Sequence, residues 1–335
     1  MTAVTEQVVP IADAACAQAV FGPLHRHLAL IQEDFRASAG DGYSVLIDAR
    51  GVDVVLRSGP DAASERARAQ WVIESLVALC ARKRRVRDGD VMAALAFSRQ
   101  FREGEARPAE LPHLGALTLR TPRQLAYAKA LNDPNLDLIF GIGAAGTGKT
   151  YLAVAAAVRA LREELVDRIV VTRPAVEAGE RLGFLPGDLA EKVDPYLQPI
   201  WDAFRDQLGE NELRNRRERR QVEVAPVAFM RGRTLSNAFV IVDEAQNATA
   251  PQMKMVLTRL GEGSRMVVTG DPSQVDLPRT ETSGLAHALA LLEGLPGVEV
   301  IRFRAPDVVR HRLVARVIEA YETDEQRRRE EAGRG

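Results

Sequence analysis

The stretch GIGAAGTGKTY, at positions 141–151, has residue types and spacing suited to holding phosphate groups. Glycines let successive backbone N–H groups converge on phosphate oxygens, and a helix beginning there adds partial positive charge. The residues that match G-x-x-x-x-G-K-[ST] are Gly143, Ala144, Ala145, Gly146, Thr147, Gly148, Lys149 and Thr150. The spacing predicts a nucleoside triphosphate site in which Lys149 reaches the β- and γ-phosphates and Thr150 binds Mg²⁺.

Two further segments carry side chains that could act on a bound phosphate. In AFVIVDEAQN (238–247), an apolar run ends in Asp243, placed to hold Mg²⁺ through water, and Glu244, placed to deprotonate an attacking water. In VVTGDPSQVDLP (267–278), Gln274 is a candidate sensor of the γ-phosphate. Alone, the first could be a strand end with a helix-capping Asp and the second a proline turn. Together with the upstream loop, they predict hydrolysis.

The elements around these motifs favour one sheet that could bring them together. From Thr121 onward, apolar strands alternate with helical segments: LDLIFGI, RIVVTRP, QVEVAPVAF, AFVIVDEA, RMVVTGD and VEVIRF. Such an order indicates a mostly parallel sheet covered on both faces. The glycine-rich loop follows the first of these strands and opens the helix TYLAVAAAVRAL, which is the context that phosphate binding requires.

The pattern along the chain predicts five parts. We expect a disordered N-terminus (1–17), a small α/β domain (18–100), a linker rich in Pro, Gly and charge (101–120), a P-loop domain (121–323) and a disordered tail (324–335).

Composition limits the remaining possibilities. The formal net charge of −1 means that any nucleic-acid surface must be local. The cysteines, Cys16 and Cys80, have no metal-ligand spacing and argue against a disulfide framework. No signal-peptide pattern and no apolar run of about 18 residues is found, so we expect a cytoplasmic protein without membrane association.

Five segments together resemble the PhoH family over residues 117–323. They are GAAGTGKT, RPAVEAGERLGFLPGDLAEKVDPYLQPIWDAF, FMRGRTLSNAFVIVDEAQN, TGDPSQVDLP and VVRHRLVARVIEAYE. The resemblance implies an α/β fold, namely a three-layer RecA-like P-loop NTPase domain with a mostly parallel sheet. That core is similar to the motor domain of superfamily-one helicases, and a small KH-like α/β domain precedes it.

The resemblance also implies roles for individual residues. Gln124, in RTPRQLAYAKAL, matches the motif that reads adenine; Asp243 and Glu244 match the Walker B pair, and Gln274 matches the γ-phosphate sensor. The implied cofactors are ATP and Mg²⁺, and the implied activity is an RNA-coupled ATPase or helicase-like remodeller acting on single-stranded RNA. The family's association with an endoribonuclease of ribosomal RNA maturation suggests a partner.

Other functions and roles stay open. A P-loop kinase acting on a small molecule is the alternative activity; a GTP switch is disfavoured because no N-K-x-D guanine motif occurs. The KH-like part has Gly22 in FGPLHRH but no second glycine, so it could bind RNA or serve as a scaffold or oligomerisation module. Arg173 stands where related motors touch single-stranded nucleic acid, although it could be a structural arginine.

A last expectation concerns the C-terminal segment PDVVRHRLVARVIEAYE. Too little chain follows Thr150 for a second motor domain, yet this segment carries Arg310 and Arg312. We predict that Arg310 is an arginine finger acting in trans, within a ring-like homo-oligomer expected to be a hexamer. A surface ion pair, a helix cap or action in cis are the alternatives.

Overall fold

The protein is described by a computed structural model that covers residues 4–36, 43–83, 85–100, 108–174, 189–278 and 281–309. The chain divides into two compact units, residues 1–126 and 127–335, and the boundary falls within helix α5 (Pro122–Asn132). None of the helices in the described ranges is both long and apolar enough to cross a membrane.

The N-terminal unit is built around an antiparallel sheet with strand order β1-β3-β2. Its elements are β1 (Thr5–Val9), α1 (Ala14–Phe21), α2 (Arg26–Asp34), β2 (Val45–Arg50), β3 (Asp53–Ser58), α3 (Ala63–Lys83) and α4 (Asp88–Ser98). The central strand β3 carries Val54, Val55 and Leu56, all fully buried, and α3 packs against it. The predicted small α/β domain is confirmed.

The structure shows ordered elements in two segments outside the predicted domains. The segment 1–17 was expected to be disordered, yet its described part contains β1, which pairs with β3, and buries Val9 and Ile11. The expected linker 101–120 contains a short antiparallel hairpin, β4 (His113–Leu114) and β5 (Leu117–Thr118). The strands in these segments are only five, two and two residues long, too short for a periodic pattern to show in the sequence. The predicted tail 324–335 lies outside the described residues.

The turn between α1 and α2 supplies left-handed backbone without the second glycine of a KH pattern. Leu24 and His25 have φ angles of 50° and 59°, following Gly22 at 74°. A side chain on Gly22 would also lie 2.5 Å from the ring of the buried His27. The turn therefore has conformations that glycine usually provides, while Leu24 itself is fully exposed.

The C-terminal unit contains a six-stranded, all-parallel sheet with strand order β11-β6-β10-β9-β7-β8. The strands are β6 (Leu138–Gly143), β7 (Arg168–Arg173), β8 (Val222–Pro226), β9 (Ala238–Val242), β10 (Arg265–Gly270) and β11 (Val298–Phe303). The helices are α6 (Lys149–Arg162), α7 (Leu189–Leu208), α8 (Glu210–Glu218), α9 (Ala250–Leu257) and α10 (Gly284–Leu292). Each of the six apolar segments predicted as strands forms one.

Helices cover both faces of this sheet. One face packs on α9 and α10, where Met253 and Leu285 join a cluster with Phe140, Val240 and Val268. The other face receives α6, which packs against β7, β9 and β10. Every residue of β9 is buried, as expected for a central strand covered on both sides. The architecture is the predicted three-layer RecA-like α/β fold.

Candidate nucleotide-binding site

The carboxyl ends of β6, β7, β9 and β10 lie along one edge of the parallel sheet, where open α/β sheets bind ligands. A cavity of about 340 Å³ opens there. Its lining includes Lys149, Thr150, Asp243, Glu244 and Gln274. Three motifs that are distant in the sequence therefore meet in one cavity, because β6, β10 and β9 are neighbours.

The loop between β6 and α6 depends on glycine at three positions. Gly146 and Gly148 have φ angles of 78° and 85°, in the left-handed region that glycine tolerates. Gly143 has a φ of 129°, and a side chain there would overlap the backbone carbonyl of Phe303 on β11. Thr147 closes the loop by donating its hydroxyl hydrogen to the Ala144 carbonyl at 3.0 Å.

Lys149 points back into this loop from the first turn of α6. Its ammonium group donates to the carbonyl oxygens of Gly143 at 2.5 Å and Ala144 at 2.8 Å. Burial lowers the pKa of Lys149, and the carboxylates of Asp271, Glu244 and Asp243 oppose that shift. The lysine is thus a buried cation with acidic neighbours, poised where phosphate oxygens would give it stronger partners than carbonyls.

Asp243 gathers two hydroxyl groups onto one carboxylate oxygen. Thr150 donates to Asp243 Oδ1 at 2.6 Å, and Thr269, near the end of β10, donates to the same oxygen at 2.7 Å. Among the described residues, no cluster of three or more His, Cys, Asp or Glu side chains could hold a metal ion alone. Mg²⁺ usually takes one or two protein oxygens with phosphates and water, so the Thr150–Asp243 pair fits that ion.

Glu244 follows β9 in a left-handed conformation, with φ 51° and ψ 40°. A non-glycine residue in that region is strained and turns its side chain sharply away from the strand direction. One carboxylate oxygen lies 3.5 Å from Arg173 Nη2, at the end of β7. The other accepts a hydrogen bond from Gln246 Nε2 at 2.5 Å. Two partners therefore orient the carboxylate.

Asp271 connects the segment after β10 to the glycine-rich loop. Its Oδ2 atom accepts hydrogen bonds from the Ala145 backbone N–H at 3.2 Å and from Gln274 Nε2 at 3.0 Å. Asp271 therefore links the candidate sensor Gln274 to the glycine-rich loop, since both donate to the same carboxylate oxygen.

Residues 116–322 match the family model described as PhoH-like protein, which is more than half of the chain. The chain belongs to the PhoH family. Over 207 residues it is 56% identical to a PhoH-like protein of Bacillus subtilis, covering 62% of this chain and 64% of that protein. Over 279 residues it is 47% identical to a PhoH-like protein of Mycobacterium tuberculosis H37Rv, covering 81% and 77%. The PhoH match to the Bacillus protein thus spans less than two-thirds of that relative.

One solved structure that resembles this chain does so distantly. A Sulfolobus solfataricus SWI2/SNF2 ATPase core in complex with dsDNA is 19% identical with a TM-score of 0.31, over 48% of this chain and 33% of that one. A likeness at this level carries no argument about function.

Two predicted site residues, Gln124 and Arg310, stay predictions. Gln124 belongs to the N-terminal unit, and its side-chain oxygen accepts a hydrogen bond from the Arg120 N–H at 2.7 Å. Arg310 lies outside the described residues. The preceding residue, Val309, donates its backbone N–H to the Gly146 carbonyl at 3.0 Å, so the described chain ends beside its own glycine-rich loop.

Sequence reasoning gave no role in the site to Gln246 or Thr269. Both are buried, and each has a hydrogen-bond partner more than twenty residues away in the chain. DEAQN and VVTGD place both residues within the motifs but do not show which strands are adjacent. Knowledge that β9 pairs with β10 would have indicated that Gln246 and Thr269 lie in the site.

Proposed function

We propose that this PhoH-family protein binds ATP with Mg²⁺ in the cavity at the carboxyl ends of β6, β9 and β10, and hydrolyses it. The observation that carries the proposal is the convergence of three chemically distinct groups. These are the buried cation Lys149, the hydroxyl–carboxylate pair Thr150–Asp243, and the oriented carboxylate of Glu244. Phosphoryl transfer needs charge neutralisation, a metal and a positioned nucleophile, and each group supplies one.

Each residue then has a separate task. Lys149 exchanges its carbonyl partners for β- and γ-phosphate oxygens, and the N–H groups of residues 144–150 surround the phosphates. Thr150 and Asp243 would hold Mg²⁺, and the ion would neutralise charge that develops on the phosphates. Glu244 accepts a proton from the attacking water, and Gln274 contacts the γ-phosphate. Adenine recognition by Gln124 belongs to the same proposal.

Coupling to single-stranded RNA is the second part of the proposal. Arg173 supports it, because its guanidinium lies 3.5 Å from Glu244 at the mouth of the cavity. An RNA phosphodiester that binds Arg173 would compete with the Glu244 carboxylate for that guanidinium. RNA binding would therefore change the orientation of Glu244. Assembly into a homo-oligomer, expected to be a hexamer, and association with an endoribonuclease of ribosomal RNA maturation are further proposals.

The experiment that tests the proposal measures phosphate release from ATP by the purified protein with Mg²⁺. Single-stranded RNA, single-stranded DNA and duplex RNA are added separately at several salt concentrations, because backbone binding weakens as salt rises. We expect turnover with ATP alone and stimulation by single-stranded RNA that declines with salt. Phosphate transfer that requires an added small acceptor would favour the kinase alternative.

Glu244→Gln is the matched variant for this experiment. It should bind a nonhydrolysable ATP analogue normally but lose at least about a hundredfold in turnover, because only water activation is removed. Normal turnover by Glu244→Gln would show that another group activates the water.

A further inference from the structure

The side chain of Gln246 spans the gap between the residues after β9 and those after β10. It lies in a 3₁₀ turn, Ala245–Asn247, and is only 1% exposed. Its Nε2 atom donates to Glu244 Oε2 at 2.5 Å, while its Oε1 atom accepts the Asp271 backbone N–H at 2.9 Å. Both ends of one buried carboxamide are therefore used, and each contacts a different part of the site.

Neighbouring residues restrict both the backbone turn that carries Gln246 and the space around its carboxamide. Asn247 Oδ1 accepts the Asp276 N–H at 2.9 Å, which ties the 3₁₀ turn to the segment after β10 a second time. Gly270 has no side chain, and a Cβ atom there would lie 2.9 Å from Gln246 Oε1. The carboxamide therefore has one tightly bounded place in which to sit.

The chain of contacts continues from Asp271 to the phosphate-binding loop. Asp271 accepts the Ala145 N–H, one of the backbone groups that such a loop offers to phosphate. Ala145 can give that N–H to a phosphate oxygen only by releasing Asp271. A change at the loop would then reach Glu244 through Asp271 and Gln246, over three hydrogen bonds.

We propose that Gln246 is a positioning residue that holds the Glu244 carboxylate in place for water activation and links its orientation to Asp271 and the phosphate-binding loop. The inference rests on the proposed ATP hydrolysis at this site. Left-handed backbone directs Glu244 into the cavity, but its side chain keeps free torsions that only external partners restrict. Arg173 holds one oxygen from the open side, and Gln246 holds the other from the buried side.

Two substitutions separate the two ends of the carboxamide. Gln246→Glu keeps the size of the side chain and an acceptor for the Asp271 N–H, but it replaces the amide donor to Glu244 with a carboxyl group. Gln246→Met removes both. We expect each variant to lower kcat by about tenfold or more while affinity for a nonhydrolysable ATP analogue stays within about threefold. The matched control is Gln252→Met, which removes a carboxamide bonded to the Thr249 N–H but remote from Glu244, and should change neither value by more than about twofold.

A double variant tests whether Gln246 acts through Glu244. In single-turnover reactions, Glu244→Gln/Gln246→Glu should be no slower than Glu244→Gln alone, since the positioned group is already gone. Losses that multiply, a kcat within twofold of wild type for both Gln246 variants, or failure of both to fold would overturn the proposal. Absence of turnover by the wild-type protein would instead overturn the proposed function, and this inference with it.

Discussion

The two ends of the parallel sheet each contain a cation that donates to backbone carbonyls, but the two cations are held differently. At the amino end of β10, the half-buried Arg265 donates to the carbonyls of Leu131, Asp133 and Leu136 at 2.6–3.0 Å. At the carboxyl end of β6, Lys149 donates to the carbonyls of Gly143 and Ala144. Burial lowers the pKa of both side chains, and nearby carboxylates oppose the shift.

The difference lies in what could replace those carbonyls. Arg265 spreads three nitrogen atoms over the end of α5 and the segment that joins it to β6, and it does not line the cavity at the carboxyl ends of the strands. Lys149 is a single ammonium group lining a cavity, and its partners belong to a loop built to receive phosphate. Similar partners thus give a structural cation at one end and an exchangeable one at the other.

The largest expected effect comes from removing the exchangeable cation. Lys149→Ala should lower ATP turnover by about a thousandfold and weaken nucleotide binding, because the charge opposite the β- and γ-phosphates is lost. Thermal unfolding should change less than the loss of two hydrogen bonds would suggest, because removing the ammonium group also removes the cost of burying it. Lys254→Ala, on the exposed side of α9, is the control and should match wild type in both assays. Normal turnover by Lys149→Ala would show that Lys149 is not the cation that binds the phosphates.

Arg310 would add a second functional cation beside the loop. Arg310→Ala should lower turnover by about a hundredfold or more, because an arginine finger neutralises charge on the transferred group. Mixing inactive Arg310→Ala with inactive Lys149→Ala subunits should restore activity if the arginine acts across a subunit boundary. No recovery would favour action in cis, which the Val309–Gly146 hydrogen bond makes the competing arrangement. Arg312→Ala, at the nearby arginine not predicted to be the finger, serves as the comparison for Arg310→Ala.

Removing the structural cation should show the reverse pattern. Arg265→Met should reduce the free energy of unfolding by about 2–3 kcal/mol, because several carbonyls lose their donor together. Nucleotide affinity measured at a temperature where the variant is folded should remain unchanged. Arg214→Met, at an exposed position on α8, should alter stability by less than about 0.5 kcal/mol. A selective loss of nucleotide binding in Arg265→Met would contradict the division between the two ends.

The smallest effect is expected where an arginine pairs with a carboxylate at the sheet edge. Arg233 donates to both oxygens of Glu223 on β8, at 2.6 and 2.7 Å, and these hydrogen bonds lower the pKa of Glu223. A lowered pKa in the folded state adds stability above the unfolded value, and that stability is lost as pH falls through the folded pKa. Glu223→Gln should therefore cost up to about 1 kcal/mol at neutral pH, with the difference shrinking below about pH 4 in urea titrations. A constant difference at all pH values would refute the ionic origin.

Features formed by residues close together in the chain could be predicted from the sequence, whereas contacts between distant residues could not. The glycine-rich loop and the Asp243–Glu244 pair are contiguous motifs attached to strong apolar strands, so both they and the parallel sheet were predictable. Gln246 and Asp271 are 25 residues apart, and their contact exists only because β9 pairs with β10. Strand β1, with the sequence TEQVV, lacks clear alternation and gains its order from β3, which lies far along the chain.

The close approach of Gly143 to the Phe303 carbonyl limits which mutations this position can tolerate. A codon for glycine can mutate in a single step to several other residues, and every one of them would place a Cβ atom into the backbone of β11. In a saturation library selected for function, this position should therefore lose all of its missense variants. The loss of variants would suggest a requirement of nucleotide binding, although its cause would be the spacing of two adjacent strands and the backbone conformation of Gly143 itself.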